Sequence, residues 1–327
     1  MPLGLTIVLA ATMKALLSRR IDLTILKHKG TKSMSHSTQI VTIVRRAVAL
    51  NDFPGAERLL RCYRDSKGIT PESLEALSWL ARGAFAAHRF AKAVGYAQSV
   101  HRLAVRRLQN AELESSPCLS AALGASIEVL GQSKAQRGCR SEAIRFLKRE
   151  LAEYGATLIG TRIRKNLNLL TMESQAAPEL EILDWLGPKP PALLELRGQP
   201  VLVFFWAHYC DDSRTLGRVL ARIQEEFGRG GLALIGPTRC YGYLDERRRK
   251  PVLRRREMQR IQQVLRQYYS LLSGMPVSIS ARNFEVYGVS TTPTLVLVDR
   301  KGLVSFYHPG KLPYRELAYS VRKLLLT

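Results

Sequence analysis

Cys210-Asp211-Asp212-Ser213 is the segment of this chain whose residue types suit nucleophilic chemistry. A cysteine attacks only as its thiolate, so the groups around it decide whether it reacts. Asp211 and Asp212 compete for the positive field that a thiolate needs, so by like-charge repulsion Cys210 is expected to be the less reactive for them. A protonated His208 would offset them, although an imidazole near its ordinary pKa is mostly neutral at pH 7. The other cysteines are Cys62, Cys118, Cys139 and Cys240. Five in 327 residues are too few and too scattered for a disulfide scaffold. None forms a CxxC or a Cys/His cluster with zinc spacing, so neither a metal site nor a cofactor is indicated. Cys62, Cys118 and Cys139 read as small packing residues.

The elements that must position Cys210 can be read on either side of it. VLVFFW (201–206) is a short continuous apolar run, typical of a strand buried on both faces. LGRVLARIQEEF (216–227) reads as a helix, and GLALIGP (231–237) as a second buried strand. An Arg-rich helical insertion follows at about 245–273. TPTLVLVDR (292–300) and LVSFYHP (303–309) read as a strand pair joined at Lys301-Gly302, and Tyr314 to Leu325 as an amphipathic helix. Together they make an α/β sandwich around a central mixed sheet. Trp206 and Tyr209 read as packing around the helix that follows Cys210. Tyr241 and Tyr243 line a groove beside the cysteine or pack in the core. His308 reads as structural, in the hairpin loop.

Residues 38–172 read as helices instead, with apolar positions at three- and four-residue spacing, as in Leu74, Leu77, Leu80, Ala81 and Ala84. The segments NDFPGAERLL (51–60), HRFAKAVGYA (88–97) and GCRSEAIRFL (138–147) place Ala56, Ala93 and Ala143 at one register. This pattern resembles degenerate tetratricopeptide repeats, although the alanine spacings of 37 and 50 depart from the family's unit. The resemblance implies either a concave surface for a protein partner or a helical spacer or dimerisation arm, and the latter is favoured. Between the two regions, the proline-rich stretch 173–195 reads as a linker.

The chain carries 50 Lys and Arg against 27 Asp and Glu, a formal charge of +23. Residues 1–48 and 245–266 hold more than half of that surplus, and no nucleic-acid motif surrounds either, so nucleic acid is disfavoured as a partner. The apolar and basic segment 1–37 reads as a degraded export signal, a membrane anchor or sequence upstream of a misplaced start.

The stretch APELEILDWLG…LLELRGQPVLVFFWAHYC resembles the start of TlpA-like thioredoxins, the extracytoplasmic thiol–disulfide branch of the redoxins. Trp206, Ala207 and Cys210 take the places of that family's Trp-Ala-x-x-Cys. STTPTLVLVDRKGLV is similar to its cis-proline segment, which makes Pro293 the expected cis-proline and Thr292 its neighbour. The resemblance covers 176–327 and implies a thioredoxin fold with a helical insertion. It also implies an extracytoplasmic or membrane-associated location; without an export signal in 1–37 the location would be cytoplasmic.

The family's second cysteine is Ser213 here. In the dithiol mechanism the first thiolate sits at a helix N-terminus, and the second thiol releases the mixed disulfide. Ser213 cannot perform that release. Cys240 is the candidate for a displaced resolving thiol, provided that its Cα lies within about 7 Å of that of Cys210. A peroxidase reading is weaker, because Ala207, His208 and Tyr209 replace the Pro and Thr or Ser that precede a peroxidatic cysteine. The leading expectation is therefore an enzyme exchanging mixed disulfides with protein or small thiol substrates through Cys210 alone. The alternative is a redox-inactive module that recruits partners through its helical repeats.

Overall fold

The computed structural model describes residues 36–109, 112–246, 248–272 and 274–326. The segment read over 1–37 thus lies outside the described residues as far as residue 35. The chain divides into two compact units, one up to Asn166 and one from Leu167 onward.

The first unit is helical: α1 (His36–Ala49), α2 (Phe53–Lys67), α3 (Pro71–Ala86), α4 (Phe90–Leu108), α5 (Pro117–Gln136), α6 (Arg140–Tyr154) and the start of α7 (Gly160–Thr171). Its helix starts are written in the sequence. Asp52 accepts from the Gly55 amide at 2.9 Å, Thr70 and Ser73 form a reciprocal capping box, and Ser116 accepts from the Leu119 amide. Ala56, Ala93 and Ala143 are each the fourth residue of their helix, α2, α4 and α6, and each is fully buried. Small residues there let neighbouring helices approach closely. Glu128 of α5, buried, accepts from Arg162 Nε at 2.9 Å and also from Lys165 Nζ of α7. Burial alone would raise its carboxyl, but the charges of Arg162, Lys165 and Arg82 more than offset that and hold it well below the usual range.

The second unit holds a four-stranded sheet of order β3-β2-β5-β6, from β2 (Val201–Phe205), β3 (Ala233–Ile235), β5 (Thr294–Val298) and β6 (Val304–Pro309). β3 runs parallel to β2, while β5 is antiparallel to both β2 and β6. Every residue of β2 is buried, and its side chains alternate between two cores. Leu202 and Phe204 face a core completed by α8 (Asp211–Phe227), α9 (Arg254–Tyr268) and α11 (Tyr314–Leu325). Val201, Val203 and Phe205 face another, completed by Met172, Leu180 and, from α10 (Ala281–Val286) and just beyond it, Phe284 and Tyr287.

Three local expectations need correction. The prolines of 173–195 do not make a free linker: Leu180 and Leu193 enter the core, the Glu181 amide donates to Asn283 at 2.7 Å, and a short strand, β1 (Trp185–Leu186), pairs with β4 (Val277–Ser278). Proline prevents helix here but not burial. The insertion at 245–273 is helical only over α9 and a short 3-10 turn, Ser270–Leu272, after an irregular loop. His308 lies within β6 rather than in a loop, buried and stacked on Phe306 at 5.7 Å.

Burial is the main cause that pushes His308 down to about 4. The imidazole is neutral in the fold, whereas the unfolded chain takes up a proton below its ordinary pKa. Its contribution is therefore complete above about pH 6.5 and lost as pH falls toward 4, with ~3 kcal/mol at stake. Acid titration of the second unit by near-UV circular dichroism should show this loss, and His308→Leu should flatten it. An unchanged profile in that variant would assign the acid sensitivity elsewhere.

Candidate functional site

β2 ends at Phe205, and five residues later Cys210 caps the N-terminus of α8 in an extended conformation. The cysteine is 5% exposed. Its Sγ donates to the Thr292 carbonyl at 3.2 Å, and the Thr292–Pro293 peptide is cis. The Pro293 carbonyl in turn accepts from the Gly310 amide at 2.7 Å, and the Thr294 hydroxyl donates to the Thr291 carbonyl. Residues far apart in sequence, Cys210 and the 291–294 turn, are thereby joined at the end of the sheet where β2 finishes and β5 begins. Strand order, cis-proline and helix-capping cysteine are those of a thioredoxin-like fold.

Among solved structures the chain is similar to a thioredoxin-family thiol:disulfide interchange protein of Chlorobium tepidum, at 18% identity over 46% of this chain and 97% of that one, TM-score 0.36. It is likewise similar to an exposed lipoprotein thioredoxin of Streptococcus pneumoniae, at 19% identity over 45% and 100%, TM-score 0.34. A third likeness is to a secreted disulfide oxidoreductase of Mycobacterium tuberculosis, at 15% identity over 40% and 86%, TM-score 0.32. No protein-family model matches the chain, and no curated protein matches it.

Within the thioredoxin-like unit, both aspartates after Cys210 have a cation beside them. Asp211 pairs with Arg214 at 2.9 Å and Asp212 with Lys311 at 3.2 Å. Neither cation was singled out in the sequence. Arg214 is one turn along the helix, a position that the i, i+3 rule brings alongside Asp211; Lys311 arrives from a loop a hundred residues away. Arg214 also donates to the His208 carbonyl at 2.6 Å.

His208 does not act as the offsetting cation. It is fully buried, and burial is the first cause that lowers its pKa, with the Glu257 charge pulling the other way. Its Nε2 donates to the Tyr243 carbonyl at 3.0 Å, which fixes the neutral tautomer and leaves Nδ1 bare, 3.8 Å from Glu257. Glu257 is the buried acid that charge patterning hid inside an Arg-rich run. Its carboxylate accepts from the Tyr241 and Gly242 amides, at 2.5 and 2.9 Å, and so ties α9 to the loop after β3.

Tyr209, Tyr241 and Tyr243 form one aromatic cluster, with Tyr209 4.8 Å from Tyr241 and 5.3 Å from Tyr243. Arg239 lies over Tyr241 at 4.5 Å. Of the two roles weighed for Tyr241 and Tyr243, packing is the one observed: they lie against each other and against Tyr209, the residue next to Cys210.

Cys240 has other company. Its thiol lies 3.7 Å from Met258 Sδ and packs against the α8–α9 core, and burial raises its pKa. Both Cys210 and Cys240 are free thiols. Trp206 is fully buried, its Nε1 donating to the Gly236 carbonyl at 2.9 Å. Ser213 is fully buried, and its hydroxyl has no hydrogen-bond partner. Among the described residues no group of His, Cys, Asp and Glu is placed to hold a metal ion, and no helix is long and apolar enough to cross a membrane.

Proposed function

We propose that the second unit exchanges disulfides through Cys210 alone. The observation that carries this reading is the Cys210 thiol at the start of α8, bonded to the carbonyl that precedes the cis-proline. The helix amides favour the thiolate, and the Thr291–Thr292 backbone edge offers polar groups to an extended substrate. The Cys210 thiolate attacks one sulfur of a substrate disulfide, forming a mixed disulfide and releasing the other sulfur as a thiolate. An external thiol of the glutathione class then attacks the mixed disulfide and restores Cys210. The external thiol is left joined to the substrate sulfur, and a second one frees that sulfur; the two external thiols together supply the two electrons, because Ser213 cannot. Two competing cysteines are handicapped: burial and then Glu75 push Cys118 up to about 12, and burial pushes Cys240 up. Substrates would be protein or small disulfides, and the resemblance of 176–327 to TlpA-like thioredoxins favours extracytoplasmic work.

The native chain incubated with glutathione disulfide should gain one glutathione, mapped to the peptide carrying Cys210, and Cys210→Ser should gain none there. Preferential modification of Cys62, Cys118 or Cys139 would sink the reading.

The slight exposure of Cys210 and the serine at position 213 favour a second reading. In it the thioredoxin-like unit is redox-inactive, and the helical unit, read as tetratricopeptide-like, recruits a protein partner. Cys210→Ser would then leave partner binding and cellular function intact.

A further inference from the structure

Two hydroxyls lie buried near Cys210 with nothing to bond. The Ser213 Oγ and the Tyr269 phenolic oxygen both lack a hydrogen-bond partner, Ser213 at 0% and Tyr269 at 1% exposure. Buried hydroxyls are rarely left so, because an unmet one costs free energy.

Both belong to the surroundings of one sulfur. Ser213 is the third residue of α8, and the cap and third positions of a helix face each other across its first turn. One turn further on, Gly217 has no side chain, and the Tyr268 carbonyl and the Tyr269 ring fill the space: a Cβ there would collide with the Tyr268 oxygen and stand 3.0 Å from Tyr269 Cδ1. Cys210, Ser213 and Gly217 thus form a stripe at three- and four-residue spacing, with the Tyr269 ring against its Gly217 end and meeting Trp206 edge-on at 5.1 Å. Burial, and then the charge of Cys210, push the Tyr269 phenol well above its ordinary value, so it keeps its proton and remains a donor.

As a thiol, Cys210 is itself a donor, to Thr292. On losing its proton the sulfur becomes an acceptor only. We propose that Tyr269 and Ser213 are the donor pair for ionised Cys210, two hydroxyls idle beside the thiol and engaged by the thiolate. Tyr209 with Tyr243, Asp211 with Arg214, Asp212 with Lys311, and His208 with Glu257 are charged or titratable groups around the cysteine, and none of them is hydrogen-bonded to its sulfur. Tyr269 closes the insertion, so the extra segment supplies a group to the site. The inference rests on Cys210 being the reactive thiol.

The test is iodoacetamide labelling of Cys210 in the full chain across neutral to alkaline pH, read by peptide mapping. Tyr269→Phe should shift the labelling profile to higher pH, lowering neutral-pH labelling by roughly three- to tenfold, one pKa unit being tenfold. Ser213→Ala should move it the same way, and the double variant further. Loss of an unmet hydroxyl should meanwhile leave the melting temperature of Tyr269→Phe unchanged or higher while Cys210 is protonated. A profile unmoved in both single variants would overturn the donor pair and leave Tyr269 as packing. If native Cys210 stays unlabelled at neutral pH, disulfide exchange fails as the function. The ultraviolet absorbance of the thiolate at alkaline pH then still decides the donor pair by its midpoint in native and Tyr269→Phe chains.

Discussion

A Ser213→Cys variant gains dithiol turnover that the native chain lacks. Positions 210 and 213 are the cap and third residue of α8, a separation that puts their Cα atoms at about 5–6 Å, inside the range a disulfide spans. The Ser213 hydroxyl has no hydrogen bond to lose, so a thiol, the weaker hydrogen-bonding group, is accepted there at little cost. The new sulfur can attack the mixed disulfide at Cys210 from one turn along the helix. Insulin reduction driven by dithiothreitol should rise by roughly tenfold or more, because release no longer waits for an external thiol. A native chain already turning over at the variant's rate would point to Cys240 as resolving thiol, and its removal would then abolish activity. A variant that forms the 210–213 disulfide but still fails to reduce insulin would show that the groove does not take a substrate.

The largest stability effect lies in the helical unit, at Glu128. Arg162 and Lys165 both bond to this one buried carboxylate, and the Arg82 charge adds to the field there. Removing the acid leaves those cations uncompensated, so Glu128→Ala should destabilise the unit by roughly 3–5 kcal/mol. Urea unfolding followed by far-UV circular dichroism measures it. Replacing the bonded trio together with apolar residues, Glu128→Leu with Arg162→Leu and Lys165→Met, should recover most of the loss. A Glu128→Ala cost below about 1 kcal/mol, the scale of an exposed pair, would show that water reaches the cluster. Because the folded carboxyl is held below its unfolded value, this stability is present above the usual carboxylate range and is lost as pH falls through the folded value. His308 weakens the other unit at milder acidity, so the two units should fail in separate acid steps.

Much of the scaffold was legible because short-range signals carry it. The all-apolar VLVFFW run corresponds to a strand buried on both faces, and Tyr314–Leu325 is helical over the range its periodicity marks. Cys210 and Pro293 came from motif, and the Cys210 sulfur bonds to the carbonyl that precedes the cis-proline; Trp206, also from motif, is buried and bonds to the Gly236 carbonyl instead. Pairings across long sequence distance were not legible. Lys311 finds Asp212, Glu257 finds the Tyr241 and Gly242 amides, and Tyr269 settles on Gly217, each through the fold of the insertion and the last loop. Nothing local marks them: Glu257 sits in a run of arginines, and Tyr269 follows Tyr268, which is exposed. The prolines of 173–195 misled for a related reason, since they forbid helix but say nothing of whether Leu180 and Leu193 are buried.

The grip of Glu257 on two consecutive backbone amides sets a timescale for the loop after β3. Exposed irregular segments normally exchange their amide hydrogens almost as fast as free peptide. Tyr241 and Gly242 are held by a carboxylate that is 1% exposed and anchored in α9. Their hydrogens can be released only when that helix lifts away. The loop beside the cysteine and the Arg-rich helix therefore open as one cooperative piece, and two slowly exchanging amides in an otherwise irregular stretch would report each opening.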